Sequence, residues 1–336
     1  MKKFQKLFHE VSKTAIVLIA LIVPFATMTC REDLFEVAKN ANDARNDNKP
    51  PYSIAALVDD GGNTKVVLSD GVKTELVYVH DGAPYGTVYL DRRGWVFVMK
   101  SAYEVHAVKD SINVYYDFDG EGFPYGFGEE NDYTVMLGSE SLFKFEPTKN
   151  PPWTYIRKVG VSYPIALFRA SDDSGSYVVN EVSGNFEFSH ISTPANIAGK
   201  INTPPNGTFF FDAYKGCFYA GSNSQIKNIY DKFINASPSF HSFAVLDETD
   251  IYAGGIYSTH LEIMKVDFNQ TTVQQFYNFG SMDGSMQIAA YDSSTLVVGV
   301  KDSTSKNGLY LFKTTDSTLT QLSSLPVHAV STLKKK

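Results

Sequence analysis

The densest run of groups able to do chemistry is DFDGEGFPYGFGEEND at residues 117–132. Asp117, Asp119 and Glu121 alternate around Gly120, and Glu129, Glu130 and Asp132 follow at the far end. Carboxylates alternating about a glycine turn supply the hard oxygens that Ca2+ takes, although the run lacks the fuller spacing of an EF-hand loop. A solvated acidic loop has the same composition, and both readings stay open. Phe123, Pro124, Tyr125 and Phe127 make the segment aromatic for an exposed loop, so Tyr125 is a candidate ligand contact. Trp153, after Pro151 and Pro152, is a second. An indole held in a turn can stack on a sugar, whereas one in a core packs against apolar neighbours.

Other chemistry is sparse. The sequence contains no HExxH, no Walker A loop and no GxSxG; in GSMDG at 280–284, Met282 stands where the nucleophilic serine would be. The seven histidines lack ligand spacing, and His80, His106, His190 and His260 fall on or beside predicted strands, where they read as structural. Cys30 and Cys217 are the only cysteines, with no CxxC pair to suggest zinc or a disulfide framework. Cys217, in GCFYAG, reads as a buried, inert thiol on a strand. The net charge is −7, and since residues 1–29 carry +3, the rest carries −10. An acidic body argues against a nucleic-acid partner. No catalytic residue is assigned.

Cys30 has a different context. Four lysines in residues 1–13 precede the apolar run TAIVLIALIVPFA, which is too short to span a bilayer comfortably. A basic region followed by a short apolar one is a secretory signal. TMTC at 27–30 resembles the lipobox of bacterial lipoproteins, and spirochaetal members of that family have relaxed lipoboxes. The resemblance implies a signal peptide at 1–29, lipidation of Cys30, a membrane attachment through the lipid (palmitate among its chains), and a place in the bacterial cell envelope, at the outer membrane or cell surface. An ordinary cleaved signal and an uncleaved anchor are the alternatives. Residues 30–51 are polar, rich in Asn and Asp, and end in Pro-Pro, which suits a flexible tether.

The elements that position these groups are read best from the C-terminal end. FAVLDETDIYAGGI at 243–256 and IAAYDSSTLVVGVK at 288–301 align as strand, Asp turn, strand, Gly, with Asp247 over Asp292 and Gly254 over Gly299. GTFFFDAYKGCFYAGS at 207–222 repeats the pattern, with Asp212 and Gly221 in the corresponding places. Each doubled unit continues through two further short strands, giving four strands at roughly 45-residue spacing, that of a β-propeller blade. Upstream, 52–81 gives three strands and 86–120 gives four. Segments 117–132 and 192–206 read as loops. The expected fold is therefore all-β: a propeller-like domain at 52–326 with six to seven blades of four short antiparallel strands, followed by a basic tail at 327–336. A pair of β-sandwiches is the alternative.

By its plan the chain resembles envelope lipoproteins that use propellers as docking scaffolds, such as the outer-membrane assembly lipoprotein. That implies a non-enzymatic binding protein with an envelope or host protein as partner. The alternative is an extracytoplasmic carbohydrate-binding protein, hydrolase or lyase with its site in the propeller channel. Clustered carboxylates in the channel would favour the second, and apolar plugging the first.

Overall fold

A computed structural model describes residues 51–118, 124–159, 164–207, 210–235, 239–280, 284–302 and 306–334. The doubled segments fold as their aspartates dictate. Asp247 Oδ1 accepts the backbone N–H groups of Thr249 and Asp250, each at 2.7 Å, and Asp292 Oδ1 accepts that of Ser294 at 2.8 Å. These side-chain-to-backbone bonds reverse the chain tightly. The flanking strands then pair antiparallel, Val245 opposite Ile251 and Ala290 opposite Leu296.

Repeating this unit gives 28 strands and no helix among the described residues. They form seven blades of four antiparallel strands. The innermost strands of blades 2 to 7 are Val88–Leu90, Pro124–Glu130, Pro164–Arg169, Phe210–Tyr214, Ser239–Val245 and Gly284–Ala290. Blade 1 is built differently. Its second to fourth strands are Ile54–Asp59, Asn63–Ser69 and Thr74–Asp81, and its innermost strand is Val327–Thr332 from the other end of the domain. Ala56 pairs with Val330 and Ile54 with Thr332, so the last strand closes the ring against the first.

The core lies between blades. Seven buried apolar clusters occur among the described residues, one in each seam. Each small sheet would otherwise leave two faces in water, and radial stacking covers both. The blade 2–blade 3 seam is the most aromatic: Trp95, Phe97, Phe127, Phe145 and Trp153 pack with ring centroids 5.0–6.3 Å apart.

The structure corrects four expectations. Residues 327–336 are not simply a solvated tail, because Val327–Thr332 is the closing strand. Within the expected loop 117–132, Pro124–Glu130 is the inner strand of blade 3. Its glycines hide the strand pattern but are required by close approach: a Cβ on Gly126 would lie 2.3 Å from the Leu167 carbonyl oxygen of blade 4. Gly126 and Leu167 pair in parallel there, which joins blades 3 and 4 into one eight-stranded sheet. Within the expected loop 192–206, Ile197–Asn202 is the outer strand of blade 4. Asp212 does not open a turn; it lies inside the inner strand of blade 5 opposite Tyr219, and the turn falls at Lys215–Gly216.

The central channel as candidate functional site

The inner strands surround a channel of about 400 Å³ to which all seven contribute. Its wall mixes apolar side chains such as Phe168, Phe211 and Ile288 with Arg169, Asp173 and Asp212. Arg169 ends the blade 4 inner strand and Asp173 follows it, whereas Asp212 lies within the blade 5 inner strand.

Arg169, nearly buried at the end of the blade 4 inner strand, reaches across three other blades. Its Nη1 donates to the Leu90 carbonyl of blade 2 at 3.2 Å and to Glu129 Oε2 of blade 3 at 3.3 Å. Its Nη2 donates to the Thr332 carbonyl of the closing strand. The guanidinium also lies over the Tyr89 ring, 5.1 Å from the centroid. Glu129 is held in turn by the Arg92 N–H at 2.6 Å, and Arg92 pairs with Asp173 at 3.2 Å. A planar fork with several donors suits this task better than an ammonium.

Asp212 does the same for blades 4 to 6. Its oxygens accept the Ser171 N–H (3.0 Å), the Ser171 hydroxyl (2.5 Å), the Ala213 N–H (2.7 Å) and the Val245 N–H (3.3 Å). Smaller links complete the circuit. Ser242 Oγ donates to the Met286 carbonyl and accepts from the Ile288 N–H, joining blades 6 and 7. Thr332 Oγ1 donates to the Ala290 carbonyl, joining blade 7 to blade 1, and Leu90 N–H donates to Ser331 Oγ, joining blade 2 to blade 1. The polar groups around the channel are thus hydrogen-bonded from blade to blade around the whole ring.

Burial pushes the Asp212 carboxyl up to about 6, against the pull of its donors. In the unfolded chain it titrates near the ordinary ~3.9. The folded state therefore holds the proton more tightly. The stability linked to Asp212 is complete below about pH 4 and is lost as pH rises through about 6. At roughly 1.4 kcal/mol per pH unit, the total is on the order of 3 kcal/mol. Urea unfolding of the wild type and of Asp212→Asn should show the wild type losing about that much relative to the variant between pH 4 and 7. A constant difference across that range would show that Asp212 titrates alike folded and unfolded.

The residues singled out from sequence fare differently. Trp153 is no stacking platform: it is 4% exposed in the blade 2–blade 3 seam, packed among Phe97, Phe118, Phe127 and Phe145. Tyr125 is 42% exposed, at the start of the blade 3 inner strand and the opposite end of the channel from Arg169. Asp117 ends the outer strand of blade 2 and is exposed, whereas Asp119 and Glu121 lie outside the described residues. Glu129 and Glu130, which flanked that cluster in sequence, pair instead with Arg169 and with Arg157, the latter at 2.7 Å. Among the described residues no three His, Cys, Asp or Glu side chains are grouped to hold a metal ion. Cys217 is half-buried on its strand, and burial pushes its thiol up, away from the reactive thiolate. Cys30 lies outside the described residues.

No protein-family model matches the sequence, and no curated protein matches it. Solved structures do resemble it in fold. A chain of the mitotic checkpoint complex superposes with a TM-score of 0.53 at 10% identity, covering 79% of this chain and 88% of that one. Dihydro-heme d1 dehydrogenase in complex with DHE gives 0.52 at 9% identity over 85% and 76%. Virginiamycin B lyase from Staphylococcus aureus, in a catalytically inactive form with quinupristin, gives 0.50 at 12% identity over 76% and 94%. A checkpoint component, a dehydrogenase and a lyase share no chemistry, so the likeness establishes architecture and not activity. The described residues form a seven-bladed β-propeller.

Proposed function

We propose that this protein is a non-enzymatic docking scaffold, held in a bacterial envelope by a lipid on Cys30, that binds a protein partner along its outer rim. One observation carries the reading. Leu76, Tyr78, Tyr115, Tyr155, Ile197 and Phe233 all lie on the outermost strands of blades 1 to 5, each between 45% and 57% exposed. The outer strands of blades 6 and 7 present no such residue among those described. An outer strand has one unpaired edge, and proteins normally blunt such edges with charge. Apolar residues kept there on successive blades suit a protein surface laid against the rim. The channel supports the same reading, because Arg169 and Asp212 in its wall, and Glu129 beside it, are occupied in holding blades together.

Chemical crosslinking in intact cells, followed by purification, tests the proposal. One partner recovered at near-stoichiometric yield is expected, with both yield and membrane fractionation reduced in Cys30→Ser. No partner above background would overturn the scaffold, and unchanged membrane association in Cys30→Ser would overturn the anchor.

A further inference from the structure

Two histidines that looked merely structural in the sequence meet at the seam between blades 1 and 2. His80 is on the outer strand of blade 1 and His106 on the third strand of blade 2, Glu104–Lys109. Their ring centroids are 5.2 Å apart, with planes tilted by 35°, and the residues are only 7% and 8% exposed.

Hydrogen bonds fix both tautomers. His80 Nδ1 lies 2.8 Å from the Asp81 carbonyl oxygen, which can only accept, so Nδ1 carries the proton. His106 Nδ1 lies 2.9 Å from Asn113 Oδ1. The Asn113 amide is oriented by its own donation from Nδ2 to the Val79 carbonyl at 2.8 Å, so Oδ1 is what His106 meets and Nδ1 is again the donor. Each ring therefore keeps a bare lone pair on Nε2. Both Nε2 atoms are buried, and neither has a hydrogen-bond partner.

A buried acceptor without a donor is costly, about 1–3 kcal/mol. Two on rings only 5.2 Å apart point to a shared occupant. An imidazole whose Nδ1–H is anchored on an oxygen while Nε2 stands free is the form in which histidine binds metal. With Zn–N distances of about 2.0–2.1 Å, two imidazoles on one tetrahedral ion have ring centroids on the order of 5 Å apart. We propose that His80 and His106 bind one borderline divalent transition-metal ion, of which Zn2+ is the representative, through their two Nε2 atoms. Water would complete the coordination, and the half-exposed Tyr115 ring lies 5.2 Å from that of His106. The ion would pin the outer part of blade 1 to blade 2.

The test is Zn2+ titration of the purified full chain by calorimetry, with thermal unfolding in Zn2+ and in EDTA. One Zn2+ per chain and an EDTA-reversible rise in Tm are expected. His80→Ala and His106→Ala should each abolish both effects while remaining folded by circular dichroism. His190→Ala, on blade 4 with its Nδ1 bonded to Ser192, should keep them. Asn113→Ala retains both imidazoles but frees the His106 tautomer, and should weaken Zn2+ binding about 10–100-fold. Absence of saturable Zn2+ binding to the wild type, or binding that survives in both histidine variants, would overturn the proposal.

Discussion

A chain ending at Pro326 is expected to lose its cooperative unfolding transition altogether. The deletion removes Val327–Thr332, the inner strand of blade 1, and leaves Ile54–Asp59 with an open edge at the channel. Ile54, Ala55, Ala56, Leu57 and Val58 are all fully buried in the intact ring, on two different seams. The deletion also takes away the Thr332 carbonyl that Arg169 contacts, the Ser331 hydroxyl that receives Leu90 N–H, and the Leu333 N–H bond to Ser53 at 2.8 Å. A closed ring gives every seam a neighbour on each side, so opening it at blade 1 weakens blades 2 and 7 as well. The loss is comparable with the whole stability of a domain, about 5–15 kcal/mol. Trp95 and Trp153, both buried in the blade 2–blade 3 seam, report this by fluorescence during urea unfolding. A truncated chain with the midpoint of the full one would contradict closure by the last strand.

Arg169→Met should cost about 3–5 kcal/mol, the usual penalty for removing one partner of a buried ion pair. The side chains of Arg169 and Glu129 are each only 8% exposed. Without the guanidinium, Glu129 keeps its charge with less compensation, and the Leu90 and Thr332 carbonyls each lose a donor. Arg169→Lys keeps the charge but cannot reach blades 1, 2 and 3 together, so it should lie between wild type and Arg169→Met. The double variant Arg169→Met/Glu129→Leu should recover part of the loss, because the residual cost lies in the stranded carboxylate. Urea midpoints of the four proteins measure this. An Arg169→Met midpoint indistinguishable from wild type would remove Arg169 from the account of ring closure.

The architecture was legible where local chemistry sets it. Asp247 and Asp292 open turns because a short carboxylate can take backbone N–H groups two or three residues ahead, and that rule needs no tertiary context. It failed at Asp212, where the same residue type meets N–H groups from three blades instead of from its own turn. The inner strand Pro124–Glu130 was missed because a strand packed on both sides needs glycine and loses its alternation. The closing strand was missed because VHAVST pairs with residues 269 to 278 positions earlier, a distance no local pattern reports. The candidate sites show the same limit. Arg169 ends an ordinary apolar strand in YPIALFRA, and nothing there says that it faces Glu129 and Thr332. His80 and His106, 26 residues apart, come together only through the seam between blades.

The docking surface is tested most directly by photocrosslinking from defined rim positions in intact cells. A photoreactive amino acid is placed singly at Tyr78, Tyr115 and Tyr155, on the outer strands of blades 1 to 3, and at Gln274 and Thr320, on those of blades 6 and 7. An adduct of one fixed mass is expected from the three tyrosine positions and none from the other two. No adduct from any tyrosine position, or equal adducts from both sides of the ring, would contradict a partner bound along the rim of blades 1 to 5.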